Sequence, residues 1–287
     1  MPTKDLDLQA APNSTTAAAA VLPPRARLAV ELQRGISRLL SPIWVPSAIA
    51  VLWLGLGYRV IGIKNLRQQF RRIRRKTRGP LLVCANHLTM IDSAIIAWAL
   101  GSPAYYLLHF SAIPWNLPER RNFAYSPLSE ILSYVMKCLP ITRGGERAEV
   151  AEVLARFIFL LSRGEVGMVF PEGGRSRSGR VDVGSAAPGV GRIIAALPGC
   201  RVLCVYLRGA HQKAFSTIPV RGEVFRVRLA TIEPRTRHAG LRASRDIAQQ
   251  IVTKLAEMEE EHDLDGRKRR RGSRRSGNRS HRHASAL

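Results

Sequence analysis

Two short polar islands in this sequence could do chemistry together. The first lies in the run LLVCANHLTMIDS at residues 81–93, where Asn86 and His87 follow five apolar residues and Asp92 comes five positions after the histidine. The second is FPEGGRS at 170–176, which carries Glu172, Gly173, Gly174, Arg175 and Ser176. A carboxylate on one imidazole nitrogen fixes the tautomer and leaves the other nitrogen free to take a proton. His87 with Asp92 could therefore act as a general base toward a hydroxyl. In one regular helix, five steps would set the two side chains about 140° apart. They can pair only if His87 sits in the turn after a strand and a helix begins near Thr89, an acceptable N-cap. The plain alternative is a histidine that caps a helix, and spacing alone favours it.

The second island strengthens the chemical reading. Glycines let backbone N–H groups approach an anion or a substrate oxygen closely. Arginines hold phosphate in a fork, and a neighbouring carboxylate can bind hydroxyls or position an arginine. A third stretch, LPITRGG at 139–145, also ends an apolar run in arginine and glycines, and makes Arg143 a candidate phosphate ligand. Gly-x-Ser-x-Gly, a phosphate loop ending in Gly-Lys-Ser/Thr and His-Glu-x-x-His are all absent. Ser93, Ser176 and Ser178 have no local argument as nucleophiles. Cys84, Cys138, Cys200 and Cys204 are scattered in apolar surroundings and read as reduced core cysteines rather than a zinc site.

The elements that must position these islands follow from the pattern. Residues 58–63, 81–85, 103–109, 166–170, 202–207 and 224–229 read as strands, the last as an edge strand with alternating arginines. Residues 91–100, 146–163 and 241–261 read as helices, and Ser126-Pro127 as a helix start. Gly164 is a natural C-cap. Strands alternating with helices predict an α/β fold: a mostly parallel central sheet flanked by helices.

Before the sheet, residues 39–58 contain no charge over twenty positions. That length can span a bilayer, but Pro42 and Pro46 are expected to break its first half as a helix. A membrane-embedded hairpin, an interfacial helix, a single span and a buried core helix all stay open, with Trp44 and Trp53 suited to an interface. The expected organisation is a disordered N-terminus at 1–24, a membrane-associated hydrophobic segment at 25–57, a catalytic domain at 58–262 and a disordered basic tail at 263–287.

The formal charge of +24 on 287 residues is concentrated. Residues 64–78 hold eight Lys/Arg and no acid, and 267–287 hold nine and no acid. The body of the chain is only mildly basic. The two segments suit an anionic membrane or a nucleic acid, and 64–78 could form a short basic helix on a membrane surface or a solvated loop. A basic flank after the apolar segment predicts that the C-terminal bulk faces the cytoplasm.

The three motifs together resemble the glycerolipid acyltransferases typified by bacterial 1-acyl-glycerol-3-phosphate acyltransferase. Asn86-His87 to Asp92, the run 139–143 ending in Arg143, and 170–176 match that family's first three motifs in order. The resemblance covers roughly 58–229. It implies that His87 takes the proton from an acceptor hydroxyl that attacks an acyl thioester, and that Asp92 orients His87. It implies that Arg143 and Arg175 bind the acceptor's phosphate, that Glu172 and Gly173 help hold the glycerol portion, and that Asn86 and Ser176 belong to the substrate site. It also implies no metal, no covalent acyl-enzyme and no cofactor beyond the acyl donor, acyl-CoA or acyl carrier protein. Three departures bear on the acceptor. Gly174 stands where threonine is usual, Cys204 lies near the usual proline of a fourth motif, and 115–124 is atypical. Lysophosphatidic acid is the default acceptor, with glycerol 3-phosphate, another lysophospholipid and an amino-acid-based lyso-lipid open.

Two other classes compete. A nucleic-acid-binding protein would explain the tail but not the three motifs, so nucleic acid is not an expected partner. A silent lipid-binding module on the same fold conflicts with the intact His87 and Asp92. The expected partners are membrane lipids and the acyl donor. The sequence sets no oligomeric state.

Overall fold

The structure is a computed structural model that describes residues 22–123 and 126–284, with side chains described as far as Arg267. In chain order the helices are α1 (Pro24–Ala50), α2 (Ile63–Lys76), α3 (Asp92–Leu100), α4 (Pro103–Leu108), α5 (Arg120–Phe123), α6 (Pro127–Val135), α7 (Arg147–Ser162), α8 (Pro188–Ala195) and α9 (Gly240–Ala284). The strands are β1 (Arg59–Val60), β2 (Leu81–Ala85), β3 (Trp115–Asn116), β4 (Val166–Val169), β5 (Arg201–Gly209) and β6 (Val224–Ile232).

They form one sheet in the order β1-β6-β5-β2-β4-β3. The central strand β2 is buried at all five positions and runs parallel to β4 on one side and β5 on the other. The sheet is mixed, which corrects the expectation of a mostly parallel one. Its longest ladder, β5 with β6, is antiparallel. The physical reason is the connection: residues 210–223 contain no helix to carry the chain back across a face, so β6 returns beside β5 in the opposite sense. Nor is β6 an edge strand, because the two-residue β1 pairs along it.

Two apolar cores sandwich the sheet. On one face, Leu81, Val83, Ala85, Met168, Leu203 and Val205 pack with α2, α3 and α4. On the other, Leu82, Cys84, Val202, Cys204 and Tyr206 pack with α7, α8 and α9. This alternation along β2 and β5 is the period of two that a strand covered on both faces must show. Gly167 is required by close approach, since a Cβ there would lie 2.5 Å from Phe157 of α7. The four cysteines are free thiols, and burial pushes Cys138, Cys200 and Cys204 up to about 12.

Several elements differ from the sequence reading. Residues 103–108 form a helix, not a strand: Ser102 accepts the Tyr105 N–H on its hydroxyl and Pro103 occupies the first helical position. Residues 63–76 are helical, and the chain between Gly240 and Ala284 is one helix, including the stretch for which a disordered tail is expected. The expected disorder at 1–24 falls almost entirely outside the described residues.

The prolines do not break α1. Helical backbone runs from Pro24 through both prolines and on to Gly55. Pro42 cannot donate to the carbonyl of Arg38, and the hydroxyl of Ser41 donates to that carbonyl instead, at 2.7 Å. Ala26, Val30, Gln33, Ser37, Ser41 and Val45 are buried along one stripe, while Leu39, Ile43, Trp53 and Leu54 are exposed. The helix therefore lies along the domain with one apolar face uncovered. Among the described residues it is long and apolar enough to cross a membrane.

Candidate active site

β2 and β4 are adjacent and parallel, so the turns that follow Ala85 and Val169 emerge together at one edge of the sheet. Ligand sites of α/β sheets form at such carboxyl ends. The first turn carries His87, and its Nδ1 lies 3.1 Å from Oδ2 of Asp92. The helix begins at Asp92, three residues later than Thr89. Thr89 serves the carboxylate instead of capping: its hydroxyl donates to Oδ1 at 2.5 Å and its N–H to Oδ2 at 2.7 Å. The Leu88 N–H donates to Oδ2 at 2.6 Å. Asp92 is thus a buried acceptor in the first turn of α3, where the helix dipole favours negative charge. With the carboxylate accepting, Nδ1 of His87 is the donor nitrogen, and Nε2 keeps its lone pair.

The two islands meet. The His87 ring stacks on Phe170, with centroids 3.9 Å apart and planes 13° from parallel. The His87 N–H donates to Oε1 of Glu172 at 3.4 Å, and the His87 carbonyl accepts from the Ser176 N–H at 2.8 Å. The other oxygen of Glu172 accepts from the Asp182 N–H at 3.1 Å. Burial pushes the Glu172 carboxyl up to about 7, against the pull of these two N–H groups.

A cavity of 860 Å³ opens at this point. Of the predicted site residues, His87, Arg143, Gly173 and Arg175 line it. Arg143 donates from Nη1 to the carbonyl of Gly173, and its Nε lies 3.4 Å from the Glu119 carboxylate. Gly173 has φ +70°, a conformation that favours glycine, and this sets the carbonyl that Arg143 uses. Arg175 donates to the carbonyl of Ser216 at 3.1 Å and lies over the Phe215 ring. The loop 210–223 is fixed there because Ser216 and Thr217 also pair with the backbone of Leu88 and Met90.

Asn86, Asp92, Glu172 and Ser176 stand behind the lining. Asn86 is a clamp between strands: its Nδ2 donates to the Leu207 carbonyl at 3.0 Å and its Oδ1 accepts from the Leu207 N–H at 2.7 Å. The Ser176 hydroxyl donates to the carbonyl of Arg180 and so closes the turn of the second island.

Sequence reasoning missed several lining groups. Arg192 adds a cation to Arg143, Arg175 and Arg177, the last of which directly follows the second island, and Glu119 is the one carboxylate among the lining residues. Leu117, Ile141, Leu154, Val190 and Ile193 supply an apolar wall. Arg192 sits on α8 and Glu119 just before α5, and no local pattern marks either. Glu119 reaches the site because its backbone bridges to Ile141, two residues before Arg143. Phe170 lay within the quoted motif, yet nothing in the sequence signals its stacking. The arrangement offers a proton acceptor on an oriented imidazole, four guanidiniums for an anionic group and an apolar surface for a hydrocarbon chain.

A family model described as acyltransferase matches residues 58–208. No curated protein matches the chain.

Proposed function

The chain belongs to the acyltransferase family, and from that premise we propose that it moves a fatty acyl group from acyl-CoA or acyl carrier protein to the hydroxyl of a lysophospholipid, 1-acyl-glycerol 3-phosphate. The observation that carries this reading is the His87–Asp92 pair at 3.1 Å beside a cavity lined by Arg143, Arg175, Arg177 and Arg192. His87 Nε2 takes the acceptor's hydroxyl proton as that oxygen attacks the thioester carbonyl carbon. Asp92 steadies the imidazolium that forms. Collapse of the tetrahedral intermediate breaks the carbon–sulfur bond, and the imidazolium returns its proton to the departing thiolate. Arg143 and Arg175 take the acceptor's phosphate, and the apolar wall takes hydrocarbon.

The exposed apolar face of α1 suits a membrane-associated enzyme that draws its acceptor from the lipid phase. The stripe of buried residues along α1 favours a helix lying at the interface over one standing away from the domain. In this reading the active site faces the cytoplasm.

One observation favours a second acceptor class. Glu119 lines the same cavity as the four arginines and stays partly exposed. That combination also suits an amino-acid-based lyso-lipid, which carries an ammonium. Purified protein offered a panel of lysophosphatidic acid, glycerol 3-phosphate, a neutral lysophospholipid and a lyso-aminolipid, each with labelled acyl-CoA or acyl carrier protein, tests the assignment. Preferential labelling of lysophosphatidic acid supports the reading. Labelling confined to the aminolipid replaces it.

A further inference from the structure

A second cavity, of 660 Å³, lies where the middle of α9, at residues 262–267, crosses the end of β5 and the start of β6, and it shares no lining residue with the first. Its chemistry is one-sided. Arg208 and Arg226 are register partners on adjacent antiparallel strands, and both line it. Like charges directly opposite one another in a sheet are unfavourable unless something neutralises them. Arg228, two residues along β6, is neutralised by Glu261 and Asp265 of α9. Among the described residues the Arg208 side chain donates only to a neutral group, the carbonyl of Gly179. The Arg226 side chain has no hydrogen bond or ion pair among the described residues. The remaining lining acid, Asp263, pairs with Arg180.

Gln212 supplies the independent observation. It is 9% exposed, and its Oε1 accepts from the Gly209 N–H at 2.7 Å. Among the described residues its Nε2 is buried without a partner. A buried donor left unmade costs free energy, so such a group calls for an acceptor. His262 also senses the local potential. Burial holds it below its ordinary value; Arg228, Arg226 and Arg208 lower it further, against the opposing pull of Asp263.

The surroundings indicate what kind of anion would enter. Ile61 lines the cavity and is half exposed. The loop after β5 presents Ile218 and Val220 to solvent and is fastened to the end of the apolar helix, through Tyr58 Oη to the Pro219 carbonyl and the Gly222 N–H to the Leu56 carbonyl. Arg267, at the rim, opens the basic run 267–287. Two donors without acceptors, Arg226 and Gln212 Nε2, beside the exposed apolar Ile61 and on a loop that carries Ile218 and Val220 to the surface, match a phosphate that is attached to hydrocarbon.

We propose that Arg208, Arg226 and Gln212 form a phosphate-binding site for the headgroup of an anionic membrane phospholipid, separate from the acyl-transfer site. The guanidiniums grip the phosphate oxygens and Gln212 Nε2 completes the set. This assignment depends on no catalytic step. It gives the protein a way to distinguish anionic from neutral lipid surfaces beyond the diffuse attraction of its basic segments.

The test uses the full chain in detergent and two variants. Arg226→Gln removes the free guanidinium. Gln212→Glu keeps the acceptor for the Gly209 N–H but replaces the donor with a carboxylate. A charge-matched control, Arg72→Gln, lies on the exposed surface of α2. Binding is measured to phosphatidylcholine vesicles with and without phosphatidic acid, and thermal unfolding is followed with short-chain phosphatidic acid and with inorganic phosphate. The expected result is a loss of at least about tenfold in the preference for phosphatidic acid in both site variants, the factor one or two charge-assisted hydrogen bonds carry. Arg72→Gln should lose less than about threefold, as a diffuse surface charge does. Both site variants should keep their fold. Loss of thermal stability in the absence of lipid, without loss of preference, would assign the cluster a structural role and overturn the proposal. Equal losses in all three variants would reduce the effect to net charge and overturn it as well. Stabilisation by inorganic phosphate alone, with none by the lipid, would assign the site to a soluble phosphate and overturn the lipid source.

Discussion

Nζ of Lys137 lies 2.6 Å from Oε2 of Glu165, and both side chains are buried. Glu165 is shared: its other oxygen accepts from Arg34 of α1 at 2.7 Å, and Oε2 also accepts from the Trp115 indole at 3.0 Å. Lys137 donates in addition to the carbonyls of Phe110 and Ile113. Burial lowers Lys137 to about 8 against the attraction of Glu165. Glu165 is itself held below the ordinary carboxylate range, because Lys137, Arg34 and Trp115 outweigh its burial. The two shifts pull in different senses on the pair, yet both leave it charged at neutral pH. The network joins α1 to the segment that leads into Arg143. Gln33 and Ser37 of α1 grip that segment too, at the carbonyls of Tyr134, Cys138 and Val135.

Removing one partner should be costly. Glu165→Ala leaves the Lys137 ammonium buried without its acid, and stability should fall by about 3–5 kcal/mol. Lys137→Met together with Glu165→Gln should recover part of that loss, because no buried charge is left alone. Denaturant unfolding of the single and double variants measures both. A single-variant loss under about 1 kcal/mol would contradict the burial of the pair.

Asn86 should matter through geometry rather than by touching substrate. Asn86→Ala leaves the Leu207 N–H and carbonyl without their partners at the end of β2, a cost of about 2–3 kcal/mol. Asn86→Asp keeps the acceptor and loses the donor, and should be destabilised as well. Unfolding midpoints, with KM for the acceptor little changed in the folded fraction, would fit a clamp. A rise in KM at unchanged stability would make Asn86 a substrate ligand.

Glu172 predicts a pH dependence with a definite sign. Its carboxyl is raised from 4.5 to about 7. Between these values the folded protein holds a proton that the unfolded chain has released. The resulting stabilisation is complete below the unfolded value and is lost as pH rises through about 7. Glu172→Gln removes this slope, so the variant should gain stability relative to the parent between about pH 5 and about pH 8. Unfolding in denaturant at a series of pH values shows it. A constant difference across that range would contradict the raised carboxyl.

Gly174 has room for the residue that the family usually carries. A Cβ there meets only Nη1 of Arg143, at 3.8 Å, and its backbone is outside the left-handed region. Gly174→Thr should fold normally and alter KM for a phosphate-bearing acceptor, through Arg143. Paired measurements of unfolding midpoint and acceptor KM check this. A large loss of stability would mean that the space is not there.

Local pattern made part of the fold and of the candidate site legible in the sequence. A five-residue apolar run ending in Asn86-His87 suits a covered strand with a polar turn at its end, and β2 is that strand. Helix geometry allows His87 to pair with Asp92 only from a turn before the helix, and spacing alone favours a capping histidine; the helix in fact starts at Asp92, with Thr89 drawn to the carboxylate. What the sequence reading missed was partly local, and partly a matter of contacts between distant segments. Pro42 is tolerated because Ser41 serves the Arg38 carbonyl. Residues 103–108 are apolar enough for a strand, but Ser102 and Pro103 start a helix. Glu119 and Arg192 reach the cavity only through the folding of β3 and α8, and the antiparallel return of β6 depends on a loop with no pattern of its own.

The proposed base for acyl transfer is His87, oriented by Asp92. That role is tested most directly by turnover of His87→Ala on lysophosphatidic acid and acyl donor, beside Asp92→Asn, with unfolding midpoints measured on the same samples. The kcat of His87→Ala should fall by about 10²–10⁴, the contribution of a positioned general base, while the protein stays folded. Folded His87→Ala protein that turns over at close to the parent rate would contradict it.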